Sequence, residues 1–322
     1  MTSLPSTMKA LRAARPSISS SPVLAVEDVP VPSPGPNDLL LKIHTSAIQP
    51  ADLLNSQGGF PTTAFPRTLG KDFAGTVVSG PDELIGKNVF GTSGGTFSFT
   101  TDGAQAEYAV VPSGAVAVMP EGMSFVQAGA LGTPWGTAAV ALDSAQAREA
   151  ENVMALGASG AVGSAVVQIA RARGCRAIGV GRRGADVDSG ADPTLEGARE
   201  LTGGRGPDVV VDTVGDLALT RAGFDVLADR GRMVVITAPR SGSTELSLDF
   251  KSLYRRQIKV LGVNTAAVSQ EAMGVVLRGF TEGFASGALV APGEDGVKKA
   301  GIEDAVRAYE GKVRKAVVVF DG

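Results

Sequence analysis

The residues best placed to do chemistry lie in one short turn. Gly157-Ala158-Ser159-Gly160-Ala161-Val162-Gly163 follows an apolar run at residues 152–156 and precedes residues 164–173, whose composition is helical. A second apolar run at residues 175–181 completes a strand, glycine turn, helix and strand of the length a βαβ unit needs. A phosphate can rest on the first turn of a helix only where backbone N–H groups point at it and no side chain intervenes. Ser159, Gly160, Ala161 and Val162 are therefore the candidate pyrophosphate-binding residues, with Gly160 allowing the close approach. Gly163 would let the helix pack on the first strand, and Ala158 stands where the dinucleotide fingerprint usually has its first glycine. Glycines alone would mark only a tight turn; the flanking elements favour the dinucleotide reading.

The second strand ends at Gly181, where an NAD-binding unit would place an acid for the ribose 2′-hydroxyl. Arg182 and Arg183 stand there instead. Guanidinium groups stay charged and offer paired donors to a 2′-phosphate, so NADP(H) is the expected cofactor. The bland reading, two solvated charges after a strand, is set against that position.

These residues need a scaffold, and 322 residues exceed the usual single-core size, so two domains are expected. With a net charge of −3 and no dense Lys/Arg run, neither nucleic acid nor an anionic membrane is an expected partner; a small-molecule substrate is. The lone cysteine, Cys175, excludes an internal disulfide and a cysteine-built zinc site, and its setting suggests a buried thiol. His44, the only histidine, lies in an apolar strand run and reads as a core or edge residue. Residues 1–20 lack a continuous apolar region and no stretch approaches bilayer length, so a cytoplasmic protein with a short Ser/Pro-containing leader is expected.

From residue 8 to about 120 the pattern is of short strands, at residues 10–11, 23–29, 39–44, 73–78, 88–90 and 107–111, divided by Pro- and Gly-rich turns. This suggests a barrel-like domain. Pro30, Pro32, Pro34 and Pro36 read as an extended connector. Residues 91–103, rich in Gly, Ser and Thr, read as a mobile loop that could cover a site or as a plain surface excursion. Residues 120–147 read as helical, leading into a doubly wound α/β block with further strands at 207–212, 232–236 and 258–262 and a crossover helix at 217–228. Residues 269–287 and 302–310 suggest helices, and a closing strand at 315–320 must pair with the first domain's sheet.

Met8-Lys9-Ala10, Ser46-Ala47-Ile48-Gln49-Pro50-Ala51-Asp52, Gly70-Lys71-Asp72-Phe73-Ala74-Gly75, Gln105-Ala106-Glu107-Tyr108, the glycine turn, Asp212-Thr213-Val214-Gly215, Gly231-Arg232 and Val313-Arg314-Lys315-Ala316-Val317-Val318 occur in this order. Together they resemble the medium-chain dehydrogenase/reductase superfamily, in its zinc-free quinone oxidoreductase-like branch. The resemblance implies an α/β chain in which a GroES-like β-barrel catalytic domain, residues 1–118 and 264–322, is split around a Rossmann doubly wound parallel-sheet domain, residues 119–263. It also implies an active site in the cleft between them and a homodimer.

Zinc members of that superfamily use Cys and His, but the ligand-like positions here are Gln49 and Lys71, with Gly129 near the third. An amide and an ammonium cannot replace thiolate and imidazole, so no metal is expected. Without a Lewis acid to stabilise an alkoxide, the expected reaction is hydride delivery to a quinone or an α,β-unsaturated carbonyl. The resemblance places Gln49, Asp52 and Lys71 at the catalytic site, Lys71 as donor to the developing oxyanion or as an ion-pair partner of Asp52 or Asp72. It assigns Thr137, Val214 and Asn264 to the cofactor. The Tyr hydroxyls common in this branch are replaced by Leu54 and Phe60, leaving proton transfer to water. Phe60, Phe65 and Trp135 line the pocket or pack the core. A stand-alone enoyl-thioester reductase and a non-catalytic NADP-binding protein are the alternative readings.

Overall fold

The computed structural model describes residues 4–17, 20–311 and 316–320. The chain divides into two compact units, Met1–Gly136 with Ala266–Gly322, and Thr137–Thr265.

The first unit opens with β1 (Thr7–Ala14), β2 (Val23–Pro30), β3 (Asp38–Ile48), α1 (Pro50–Ser56), β4 (Arg67–Thr68), β5 (Phe73–Ser79), β6 (Asn88–Gly91), β7 (Tyr108–Pro112), β8 (Val116–Val118) and α2 (Phe125–Ala128). Long apolar strands with Pro and Gly between them cannot close on local contacts alone, so they pair at a distance. β3 is the hub: β7 pairs antiparallel with its residues 38–42 and β5 pairs antiparallel with its residues 40–45. Leu39, Leu41, Ile43, Phe73, Val89 and Val111 from these strands are buried in one core. Pro50 at the first helical position and Asp52 in the first turn suit the start of α1, since proline loses no needed N–H there and the acid faces the helix's positive end.

Residues 91–103 differ from the mobile loop expected of their composition. Phe97 and Phe99 are each 1% exposed, packed edge-on against Phe73 and Phe60 at 5.7 and 5.1 Å between ring centroids. Burying each ring contributes about 2–3 kcal/mol, enough to pin a segment whose backbone composition alone would leave it free. Trp135 likewise packs against Phe280 and Phe284 in the core.

α3 (Gly132–Ser144) leads into the second unit, where β9 (Asn152–Leu156), α4 (Ala161–Ala172), β10 (Arg176–Gly181), β11 (Val187–Asp188), α5 (Glu196–Leu201), β12 (Val209–Asp212), α6 (Leu217–Val226), β13 (Arg232–Val235), α7 (Phe250–Arg255) and β14 (Lys259–Gly262) follow. The six strands form one parallel sheet in the order β11-β10-β9-β12-β13-β14, the doubly wound order that starts in the middle and reverses. Met154, Leu156, Ile178, Val180, Val210 and Met233 supply its core. The order reverses between β9 and β12, so the βα turn after β9 lies at the switch point where such sheets bind ligands.

The chain closes in the first unit with α8 (Gln270–Arg278), α9 (Thr281–Ala285), β15 (Lys298–Gly301), α10 (Ala305–Glu310) and β16 (Ala316–Val319). β16 pairs antiparallel with residues 45–48 of β3, so the last strand rejoins the first sheet. The start expected for it at 315 lies outside the described residues, as do Val313 and Arg314. Among the described residues no helix is long and apolar enough to cross a membrane.

Candidate functional site

Gln49, Asp52 and Lys71 come together in the first unit. Gln49 caps the N-terminus of α1 and Lys71 lies in the turn between β4 and β5. Asp52 is wholly buried and joins them: its Oδ2 accepts the backbone N–H of Gln49 at 2.8 Å and its Oδ1 that of Lys71 at 3.2 Å. Burial pushes the Asp52 carboxyl up to about 7, against the opposing pull of the Lys71 charge and of the Gln49 hydrogen bond. The Lys71 ammonium makes no ion pair among the described residues. It lies over the Phe99 ring, 5.3 Å from the centroid, a contact that holds a cation without neutralising it.

Asp72, which the sequence suggested only as an ion-pair partner of Lys71, organises this group. Asp72, also wholly buried, accepts hydrogen bonds from Gln49 Nε2 at 2.8 Å, Thr92 Oγ1 at 2.6 Å, Thr133 N at 2.8 Å and Thr133 Oγ1 at 2.7 Å. Burial raises its pKa, while the donors Thr92 and Thr133, the Lys71 charge and Gln49 hold it down. Gly129 packs against Thr45, its carbonyl accepting the N–H of Ala47; Thr133 is the residue of that segment that reaches Asp72. His44 is half-buried, its Nε2 3.0 Å from Thr76 Oγ1 and its ring against Phe125. Among the described residues no group of three or more His, Cys, Asp and Glu is arranged to hold a metal ion.

In the second unit the glycine turn joins β9 to α4. Gly157 takes a left-handed φ of +82°, so the residue before Ala158 makes the sharp turn expected of a first glycine. A Cβ on Gly163 would lie 2.2 Å from the Gly157 carbonyl oxygen, so only glycine lets α4 sit this close to the turn. Gly160 is the N-cap of the twelve-residue α4 and supplies no side-chain cap. Ser159, Gly160 and Ala161 are exposed and Val162 is half-buried. An open helix N-terminus over glycine backbone fits a dinucleotide pyrophosphate.

Val214 stands beside this turn: a Cβ on Gly157 would meet its Cγ2 at 2.6 Å. Its backbone N–H donates to Asp212 Oδ1 at 2.9 Å, which fixes the loop after β12. Arg182 and Arg183 are exposed directly after β10. An acid that the sequence reading overlooked, Asp186, is tied back to the strand by accepting the Gly179 N–H at 2.7 Å. Thr137 is buried on α3 and Asn264 follows β14.

Residues 35–121 match the family model of the alcohol dehydrogenase GroES-like domain, and residues 161–278 that of the zinc-binding dehydrogenases. A zinc-type alcohol dehydrogenase-like protein of Schizosaccharomyces pombe is 42% identical over 281 residues, spanning 87% of this chain and 86% of its own length. A quinone oxidoreductase of Rattus norvegicus is 30% identical over 280 residues, 80% of this chain and 82% of that protein. The solved structure of an alcohol dehydrogenase superfamily protein from Novosphingobium aromaticivorans superposes with a TM-score of 0.82 at 26% identity, covering 98% of this chain and all of that one. A GroES-like unit, a parallel-sheet unit of doubly wound order and these relatives agree: the chain belongs to the medium-chain dehydrogenase/reductase superfamily, whose oxidoreductases use NAD(P)(H).

Proposed function

We propose that the protein reduces quinones or α,β-unsaturated carbonyl compounds with NADPH. The observation that carries this reading is the Lys71 ammonium, buried, set over Phe99 and unpaired with a carboxylate among the described residues. A cationic donor at a site built from amide, ammonium and carboxyl groups can stabilise negative charge on an acceptor oxygen. It cannot replace a thiolate and imidazole set around zinc. Bound NADPH supplies the hydride. The chain's own part is to hold the acceptor oxygen near Lys71, and the pyrophosphate on the amides of Gly160, Ala161 and Val162. Arg182 and Arg183 are assigned to the 2′-phosphate. The test is NADPH consumption with a panel of quinones, enones and enoyl thioesters. Turnover of quinones or enones supports the reading, turnover of enoyl thioesters alone favours a thioester reductase, and consumption with none of them refutes it.

We also infer that the partner of the chain is a second copy of itself. β14 is the last strand of the six-stranded sheet, and Val260 on it is 45% exposed, with Phe250 and Tyr254 of α7 at 78% and 64%. An apolar edge with free backbone groups is a template for another strand, and the same strand of a second copy satisfies it by symmetry.

A further inference from the structure

We propose that Asp72 is the positioning residue of the catalytic group: it aims the Gln49 carboxamide so that the amide's second N–H is offered to the acceptor oxygen beside Lys71. This rests on the reductase reading above. An ionised carboxylate has about four acceptor positions and no donor. Asp72 takes four donors, Thr92 Oγ1, Thr133 N and Thr133 Oγ1 on Oδ1 and Gln49 Nε2 alone on Oδ2. Asp72 is wholly buried, so its role is exerted on the groups it holds rather than on substrate.

Of those groups, Gln49 is the one that gains direction. A carboxamide can usually rotate half a turn and exchange its oxygen for its nitrogen. Asp72 Oδ2 accepts but cannot donate, so it must face Nε2, and the amide plane is set. The backbone of the same residue is held from the other side, because Gln49 N–H donates to Asp52 Oδ2 at 2.8 Å. Two buried carboxylates thus clamp Gln49 by main chain and side chain, and one of its two Nε2 protons remains for another acceptor. Thr92 and Thr133 hold the second oxygen of Asp72 and are 3.1 Å from each other, which keeps the carboxylate from turning. The donors come from the start of α1, the end of β6 and the first turn of α3, so the arrangement is tertiary rather than a local cap.

The test has one readout that needs neither cofactor nor turnover. In 15N-labelled protein the Gln49 side-chain amide pair, identified by its loss in Gln49→Leu, should show dispersed, slowly exchanging protons. Asp72→Asn should move both toward the values of a free amide. Unchanged Gln49 signals in Asp72→Asn would overturn the proposal. The second readout is kinetic: Asp72→Asn should lower kcat on the order of 100-fold, the effect of about 1 Å of misplacement, with the KM for NADPH unchanged. In the Gln49→Leu background the same substitution should add little, because the group it positions is gone. Additive losses, or a raised KM with kcat preserved, would mark a merely structural residue. If Asp72→Asn does not fold, Thr133→Val removes one hydroxyl donor at nearly constant shape. It should shift the Gln49 signals and lower kcat in the same direction by a smaller factor; no shift would count against the proposal. A wild-type protein that consumes no NADPH would refute the reductase reading, while the amide signals would still decide whether Asp72 orients Gln49.

Discussion

The Lys71 ammonium lies 5.3 Å from the centre of the Phe99 ring. Phe99 belongs to a glycine-rich segment whose two buried aromatics anchor it, so the residue under the cation is fixed by the core rather than by a loop. The ammonium forms no ion pair among the described residues, which is what the proposed role as oxyanion donor requires.

Lys71→Met should therefore lower kcat/KM by roughly 100-fold or more, the loss expected for one oxyanion donor. Lys71→Arg should retain part of the rate, since charge survives but its shape changes. Steady-state NADPH oxidation with a quinone, read beside the melting temperature, checks this; a full rate in Lys71→Met would remove Lys71 from the chemistry.

Arg182→Ala with Arg183→Ala should raise the KM for NADPH roughly 10- to 100-fold, as loss of charge-assisted hydrogen bonds implies. The KM for NADH should stay within about twofold, because NADH lacks the phosphate. Equal changes for both nucleotides would show that the pair does not read the 2′ position.

The Asp52 carboxyl gives a pH dependence whose sign is set by burial. Its folded pKa of about 7 lies above the ordinary carboxylate value, so the folded state holds this proton over a range where the unfolded chain has released it. The contribution to stability is fully present below about pH 4 and is lost as pH rises toward 7, by on the order of a few kcal/mol. Urea unfolding of wild type and Asp52→Asn at pH 4.5 and pH 8 measures it. The stability difference, wild type minus variant, should fall with rising pH, and a constant difference would contradict the assignment.

Val260→Lys should convert a dimer to a monomer in light scattering, because a charge on the exposed edge of β14 opposes strand pairing. An unchanged mass would place the contact elsewhere.

The glycine turn was legible in the sequence because its elements are consecutive: β9, Gly157 to Gly163 and α4 signal one another through local pattern. The closing strand could be placed for a related reason, since an apolar strand at a chain's end needs a sheet to join. β11, α5 and α7 were not read, being two to six residues long amid polar and glycine-rich chain, too short for periodicity to register. The loop at 91–103 was misjudged because Gly, Ser and Thr dominate its composition while two phenylalanines decide its energetics. Asp72 escaped notice as a hub because its donors Thr92 and Thr133 lie 20 and 61 residues away, and no sequence period marks a long-range hydrogen bond.

The central claim, hydride delivery to an electron-poor acceptor, is tested most directly by isotope. The protein would be incubated with NADPH carrying deuterium at the transferable C4 position and with an enone, and the saturated product examined by mass spectrometry and NMR. One deuterium at the carbon β to the carbonyl, with solvent hydrogen at the α carbon, is the predicted result. Product whose β hydrogen comes from solvent, or no product at all with enones and quinones alike, would contradict it.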